Sequence, residues 1–116
     1  MRKIQLGEHR FTEVRVLDEP GTGGANHLYN ICGGEDGSLF AHIEFQDGSI
    51  KENEINGCHQ EDLLIVVLDR LQSFQRGEFG CRENALAITK IEEALHWLNH
   101  RTQDRQNRGV EGTSKQ

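Results

Sequence analysis

Apolar residues return every three or four positions late in this chain. Ile88, Ile91, Leu95 and Leu98, with Asn84 in phase ahead of them, share one face at helical spacing, which predicts a single helix from about Arg82 to Arg105. At about 1.5 Å per residue, roughly 24 residues extend about 36 Å, more than a domain of this length uses for its own core. Part of that helix is therefore expected to pack against a second copy of the chain or to hold a ligand. A second helix is predicted just upstream, from about Gln60 to Gln75, with Gln60, Glu61 and Asp62 in the first turn, where the macrodipole favours negative charge. Leu63, Leu64, Val66, Val67, Leu68, Leu71 and Phe74 make it apolar over more than half its circumference, so it is expected to be the buried core, between a sheet and the long helix. Gly77 can supply a left-handed cap, and the Gly77 to Gly80 linker is short enough to force the two helices into an antiparallel hairpin.

The first half has the period of strands. Leu39 to Phe45 alternates Leu39, Ala41, Ile43 and Phe45 against Phe40, His42 and Glu44, the clearest strand pattern in the chain. Asp47-Gly48 then reads as a hairpin turn and Ile50 to Glu54 as the returning strand, closed by Asn56-Gly57. Weaker strands are expected at Arg10 to Leu17 and His27 to Cys32, with a loop at Gly21 to His27 and a turn at Gly33 to Ser38. The fold class expected is α+β: a small N-terminal antiparallel β-sheet in a β-region over 1–58, then a C-terminal antiparallel helical hairpin with one long helix and a tail over 59–116. The two regions are expected to form one structural unit.

Composition narrows the functions. At 116 residues, 34% hydrophobic, 28% charged and a mean hydropathy of −0.68, the chain is a polar soluble protein with room for one core, and such chains often complete their cores by oligomerising. No apolar run approaches the roughly 18 residues that cross a bilayer, and the start lacks an apolar signal region, so a cytoplasmic protein with no membrane partner is expected. Cys32, Cys58 and Cys81 are odd in number and never in a CxxC arrangement, which predicts reduced thiols rather than a disulfide framework or a zinc ribbon. The net charge of −6 argues against a nucleic-acid polymer as partner. From Leu95 onward, however, four basic residues against two acidic ones give +2, leaving −8 on the remainder. A local basic site on an acidic body suits a small anionic ligand.

Candidate chemistry gathers on the helices. Trp97, Arg101 and Arg105 follow one another at one-turn intervals, offering an aromatic plane and two guanidinium forks that match phosphate oxygens and a base; the alternative is a solvated basic helix end complementing the macrodipole. Asn84, polar on an apolar seam, needs a hydrogen-bond partner, either across a helix interface, where it would fix register, or on a ligand. Phe74 is a core residue unless the end of its helix borders a pocket, where it would be a stacking platform. His96 and His100 have metal-ligand spacing but no third ligand, so no metal is expected. No phosphate-binding loop motif follows the glycines of Gly21 to Gly24, and no nucleophile motif or catalytic carboxylate pair is present, so the chain reads as a binder with no catalytic residues and no cofactor.

The stretch ENALAITKIEEALHWLNHRTQDRQNRGVEGT, preceded by EDLLIVVLDRLQSFQRGEFGCR, resembles the C-terminal helical hairpin of phage proteins that sequester bacterial immune signals, the Thoeris anti-defence and anti-CBASS sponge proteins. HIEFQDGSIKENEINGC is similar to the Thoeris anti-defence branch, which carries a small β-region before the hairpin; the first 25 residues lie outside the resemblance. The resemblance implies a phage anti-defence protein in the infected host's cytoplasm that binds and withholds, without cleaving it, the cyclic ADP-ribose isomer of the bacterial Thoeris system. It also implies a homo-oligomer, dimer or hexamer, with pockets between subunits, and in some members separate sites for cyclic di- or trinucleotides. A sponge chiefly for CBASS cyclic oligonucleotides, or an oligomerisation or adaptor module without a ligand, is the alternative. On the matching positions, Phe74 would stack on the adenine, Asn84 would hydrogen-bond the ligand, and Arg101 and Arg105 would hold the pyrophosphate. Phe74 and Asn84 flank the turn while the arginines lie about 25 to 30 Å along the helix, so one subunit can hardly surround a small ligand with all four. Antiparallel pairing of two subunits would bring one's turn to the other's basic end.

Overall fold

Strand alternation sets the first half of the chain. In the computed structural model, which describes residues 1–5, 11–109 and 112–113, four strands form an antiparallel sheet in sequence order: β1 (Arg2–Ile4), β2 (Thr12–Val16), β3 (Leu28–Gly33) and β4 (Leu39–Glu44). After them come α1 (Ile50–Asn53), α2 (Gln60–Arg76) and α3 (Arg82–Asn107). The chain divides into two compact units, Met1–Cys58 and His59–Gln116. No helix among the described residues is long and apolar enough to cross a membrane.

In the first unit, Tyr29 opposes Ile43 and Ile31 opposes Ala41, while Asn30 faces His42 on the other surface, so the pairing register carries the predicted alternation into space. His42 bridges Asn30 Oδ1 at 2.6 Å and Glu44 Oε1 at 3.1 Å on the outer face. A register shift between Ile31 and Cys32 ends the alternation early, which leaves Leu39 exposed although its phase predicts otherwise. The core is here: Val16 is 1% exposed and Cys32 2%. Along β2 Glu13 accepts from Arg15 at 3.0 Å, and across to β1 it pairs with Lys3 at 3.2 Å, contacts that hold its carboxyl below its ordinary value. β1 has no counterpart in the sequence reading, because three residues are too few to show a period. Arg10, where the second strand is predicted to begin, lies outside the described residues.

The returning strand expected at Ile50 to Glu54 is not there. Gly48 takes φ 85°, Ser49 is extended, and Asn53 and Glu54 donate to the carbonyls of Ser49 and Ile50, so the segment is one helical turn, α1. Side chains satisfy the backbone that a ladder would have satisfied: Asn56 both accepts from the Asp47 N–H and donates to its carbonyl, each at 2.8 Å, and Gln46 donates to the Glu54 carbonyl at 2.8 Å. With a single apolar residue in IKEN, nothing holds a strand against the sheet. The chain returns to the end of β4 in an isolated bridge between Phe45 and Cys58, where Cys58 donates to the Glu44 carbonyl and accepts from Gln46, each at 2.8 Å.

In the second unit α2 and α3 pack as the predicted antiparallel hairpin. The α3 seam of Asn84, Ile88, Ile91, Leu95 and Leu98 is half-buried, as are Leu63, Leu64, Leu68, Leu71 and Phe74 on α2. Asp62 accepts the His59 N–H at 2.9 Å at the start of α2. Two expectations fail. Gly77 caps α2 in an extended conformation, φ −107°, not a left-handed one, because its N–H reaches back to the Phe74 carbonyl without a reversal. Nor is α2 a buried core: none of its residues is buried, and Val66 is 64% exposed beside exposed Ile65 and Val67. A helix apolar over more than half its circumference needs neighbours on two sides, and a hairpin supplies one.

Candidate functional site

The hairpin turn is closed by side chains rather than by a regular turn. Gln75 clamps Cys81 from both directions, its Oε1 accepting the Cys81 N–H and its Nε2 donating to the Cys81 carbonyl, each at 3.0 Å. Gly80 permits that approach, since a Cβ there would lie 2.9 Å from the Gln75 carbonyl oxygen. Phe79, held between Gly77 and Gly80, sets its ring against Phe74 at 6.1 Å between centroids and 77° between planes. Asn84 Nδ2 donates to the Phe79 carbonyl at 3.2 Å. The polar residue on the apolar seam is thus satisfied within its own hairpin, and its Oδ1 has no partner among the described residues. One turn before Phe74, the Arg70 guanidinium lies 4.7 Å from the ring centroid. The structure brings Phe74 and Asn84 together, with Phe79 and Arg70 added.

The other end of α3 carries the arginines in unlike settings. Arg101 is exposed with no ion pair among the described residues, whereas Arg105 is only 7% exposed and donates to the Thr113 carbonyl at 3.1 Å. Spacing explains the difference: a residue four further on drifts about 40° around a helix of 3.6 residues per turn. Arg105 continues the steps of four and three that run through Leu98 and half-buried Thr102, so it closes the seam that Asn84 opens, while Arg101 stands one position off it. The predicted line of Trp97, Arg101 and Arg105 therefore splits, two residues outward and one inward. Trp97 is 65% exposed, flanked edge-on by His96 at 5.3 Å and His100 at 5.8 Å. Part of the tail is ordered here, with the Thr113 carbonyl on Arg105; Val110, Glu111 and residues 114–116 lie outside the described residues.

Between Asn84 and the two arginines lie roughly 25 to 30 Å of helix at about 1.5 Å per residue. A single hairpin does not bring all four predicted residues around one small molecule. The sheet unit offers a different environment: a cavity of about 430 Å³ is rimmed by Asp18, Glu19, Glu44 and Asp47 together with His27. Its field disfavours an anion. Burial alone would raise the Asp18 carboxyl, but the backbone N–H groups of His27 at 2.9 Å and Leu28 at 3.2 Å outweigh that and hold it below its ordinary value. On the hairpin, by contrast, the guanidinium groups of Arg70 and Arg101 stand exposed.

The hairpin is also where likeness to known proteins concentrates. The family model for the Acb2/Tad1 hairpin domain matches residues 39–103, more than half of the 116. The chain belongs to this hairpin family. The match spans β4 to most of α3 and takes in Phe74, Asn84 and Arg101; Arg105 falls two residues beyond it. A relative from Bacillus phage SBSphiJ7, named Thoeris anti-defense 1, is 59% identical over 73 residues, which is 63% of this chain and 51% of that protein. The chain spans about half the length of the relative it matches.

Phe79 and Arg70 are the residues of this end that the sequence reading passed over. Each had a signal: Phe79 is a large aromatic in a glycine-bounded turn, where nothing local would bury it, and Arg70 precedes Phe74 by one helical turn.

Proposed function

We propose that this chain is a phage anti-Thoeris protein that binds and withholds, without degrading it, the cyclic ADP-ribose isomer made by activated Thoeris sensor proteins in the infected cell. One observation carries the reading: the aromatic and amide end and the guanidinium end of α3 stand a helix length apart, so a pocket using both needs two copies. Membership of the hairpin family and the name of the phage relative supply the biological setting.

Exposed apolar residues support an assembly of copies. Ile65, Val66 and Val67 on α2, with Leu86 and Trp97 on α3, leave apolar area in water that a second copy would cover, and a homo-oligomer of dimers or hexamers does so. In it, Phe74 stacks on the adenine and Asn84 reads the ligand through its open Oδ1. Arg101 and Arg105 of another copy hold the pyrophosphate, Arg101 as the exposed cation and Arg105 from the seam. Sequestration requires affinity and slow release but no bond cleavage, so no catalytic group is needed. The protein acts in the host cytoplasm.

The test is recovery. Protein is mixed with the signal, heat-denatured, and the supernatant assayed: intact signal supports sequestration, and its disappearance makes the chain an enzyme. Phe74→Ala and Arg101→Ala each weaken binding at least tenfold; wild-type affinity in both sinks the site. Calorimetry against cyclic di- and trinucleotides decides between this reading and a sponge for CBASS signals. If no nucleotide of either class shifts the melting temperature, an adaptor module is left.

A further inference from the structure

We infer that Phe79 is a second aromatic contact for the ligand's planar base, a binding residue in its own right rather than a filler of the turn. The inference rests on the proposed reading of the hairpin end as a nucleotide site. Four features support it.

The first is exposure. Phe79 is 66% exposed, although its ring is large, apolar and within van der Waals range of Phe74. A phenylalanine whose task is to plug a turn is covered by that turn. The second is rigidity. The backbone on either side of Phe79 is pinned by the Gln75 clamp on Cys81, by the Gly80 N–H on the Gly77 carbonyl at 3.3 Å, and by Asn84 Nδ2 on the carbonyl of Phe79 itself. An exposed ring on a fixed backbone is pre-organised, so little further ordering is needed when a ligand arrives.

The third is geometry. Planes at 77° form an open corner, and a flat base that stacks on one ring of such a pair meets the other edge to face, the arrangement the two rings already have with each other. The fourth is competition for Phe74. Arg70 already lies over that ring, so a base using Phe74 alone would meet the guanidinium on one side. Phe79 supplies apolar area on which no cation sits among the described residues. Asn84, by holding the Phe79 carbonyl, also positions this ring, which joins the polar residue of the seam to the base through a second route.

Three variants and one ligand test the assignment: Phe79→Ala, Phe79→Leu and Phe74→Ala, titrated calorimetrically with the cyclic ADP-ribose isomer from an activated Thoeris sensor. Phe79→Ala is expected to weaken binding about 5- to 150-fold, the range found for base–aromatic stacking. Phe79→Leu keeps apolar volume and loses the π face; it is expected to show most of that loss with an unchanged melting temperature, which separates a contact from a structural role. In a Trp97→Phe background, Phe79→Trp is expected to have its fluorescence quenched on ligand addition. If Phe79→Leu binds as wild type, or the Phe79→Trp signal does not respond while Phe74→Ala abolishes binding, the inference fails and the proposed site stands. If Phe74→Ala also binds as wild type, the site itself has failed and this inference with it.

Discussion

Replacing Arg105 by alanine tests whether the inward-facing arginine is part of the hairpin's own structure. The side chain is 7% exposed and gives one guanidinium N–H to the Thr113 carbonyl at 3.1 Å. A hydrogen bond from a charged donor contributes about 1.5–3 kcal/mol net. The two buried methylenes that alanine lacks, at about 0.8 kcal/mol each, roughly cancel against the about 1.5–2 kcal/mol of rotamer entropy that an ordered arginine gives up. The expected cost is therefore about 2 kcal/mol, and at about 4 °C per kcal/mol for a chain of this size the melting temperature should fall by about 8 °C. Arg101→Ala is the control, since an exposed side chain with no ion pair among the described residues changes stability by about 0.5 kcal/mol at most, or about 2 °C. Differential scanning calorimetry of the ligand-free proteins at one fixed concentration measures both, since the transition of any associating chain depends on concentration. Equal shifts in the two variants, or none in Arg105→Ala, would refute the claim that the tail and Arg105 support each other. Arg105→Lys should fall between, keeping the charge without the planar fork.

Two further outcomes concern the sheet unit. Gly57→Ala should destabilise the chain by about 2–4 kcal/mol, because the new Cβ would lie 2.5 Å from the Phe45 carbonyl and 2.6 Å from the Glu44 carbonyl oxygen, backbone that has no room to move; a denaturation midpoint within error of wild type would contradict this. Asp18 sets part of the acid limb of stability. Its folded-state pKa lies below its ordinary value of 3.8, so the carboxylate's contribution is present above that value and is lost as pH falls through the lowered one. Urea midpoints of wild type and Asp18→Asn should differ at pH 6 and converge toward pH 2, and parallel curves across that range would show that Asp18 is not part of the limb.

The hairpin was legible because helical periodicity reports itself locally. Ile88, Ile91, Leu95 and Leu98 announce one face, and that face is the one half-buried against α2. The continuation of the seam through Thr102 to Arg105 was equally present in the spacing, but a reading by hydropathy stops at Leu98 because the next two members are polar. The strand at Leu39 to Glu44 was legible for the same reason as the hairpin. Ile50 to Glu54 was misread because a hairpin turn signal at Asp47-Gly48 was followed by only one apolar residue, too little to distinguish a strand from the turn of helix that Ser49 and Gly48 start. The apolar girth of α2 was read correctly as composition and wrongly as burial, since the sequence counts apolar residues and not the neighbours available to cover them.

Of the candidate site, the identities of Phe74, Asn84, Arg101 and Arg105 and their separation along α3 came from sequence alone: position on a helix follows from residue number and a rise of about 1.5 Å. What the tertiary structure decided was how each side chain is engaged: Asn84 on the Phe79 carbonyl, Arg105 on the tail, Arg101 outward, Arg70 across Phe74, and Phe79 exposed at the turn. The reason is physical. Periodicity is a property of neighbours along the chain, whereas burial and hydrogen-bond partnership depend on groups that only folding brings near, such as a carbonyl eight residues beyond Arg105 that no pattern in the sequence marks as its partner.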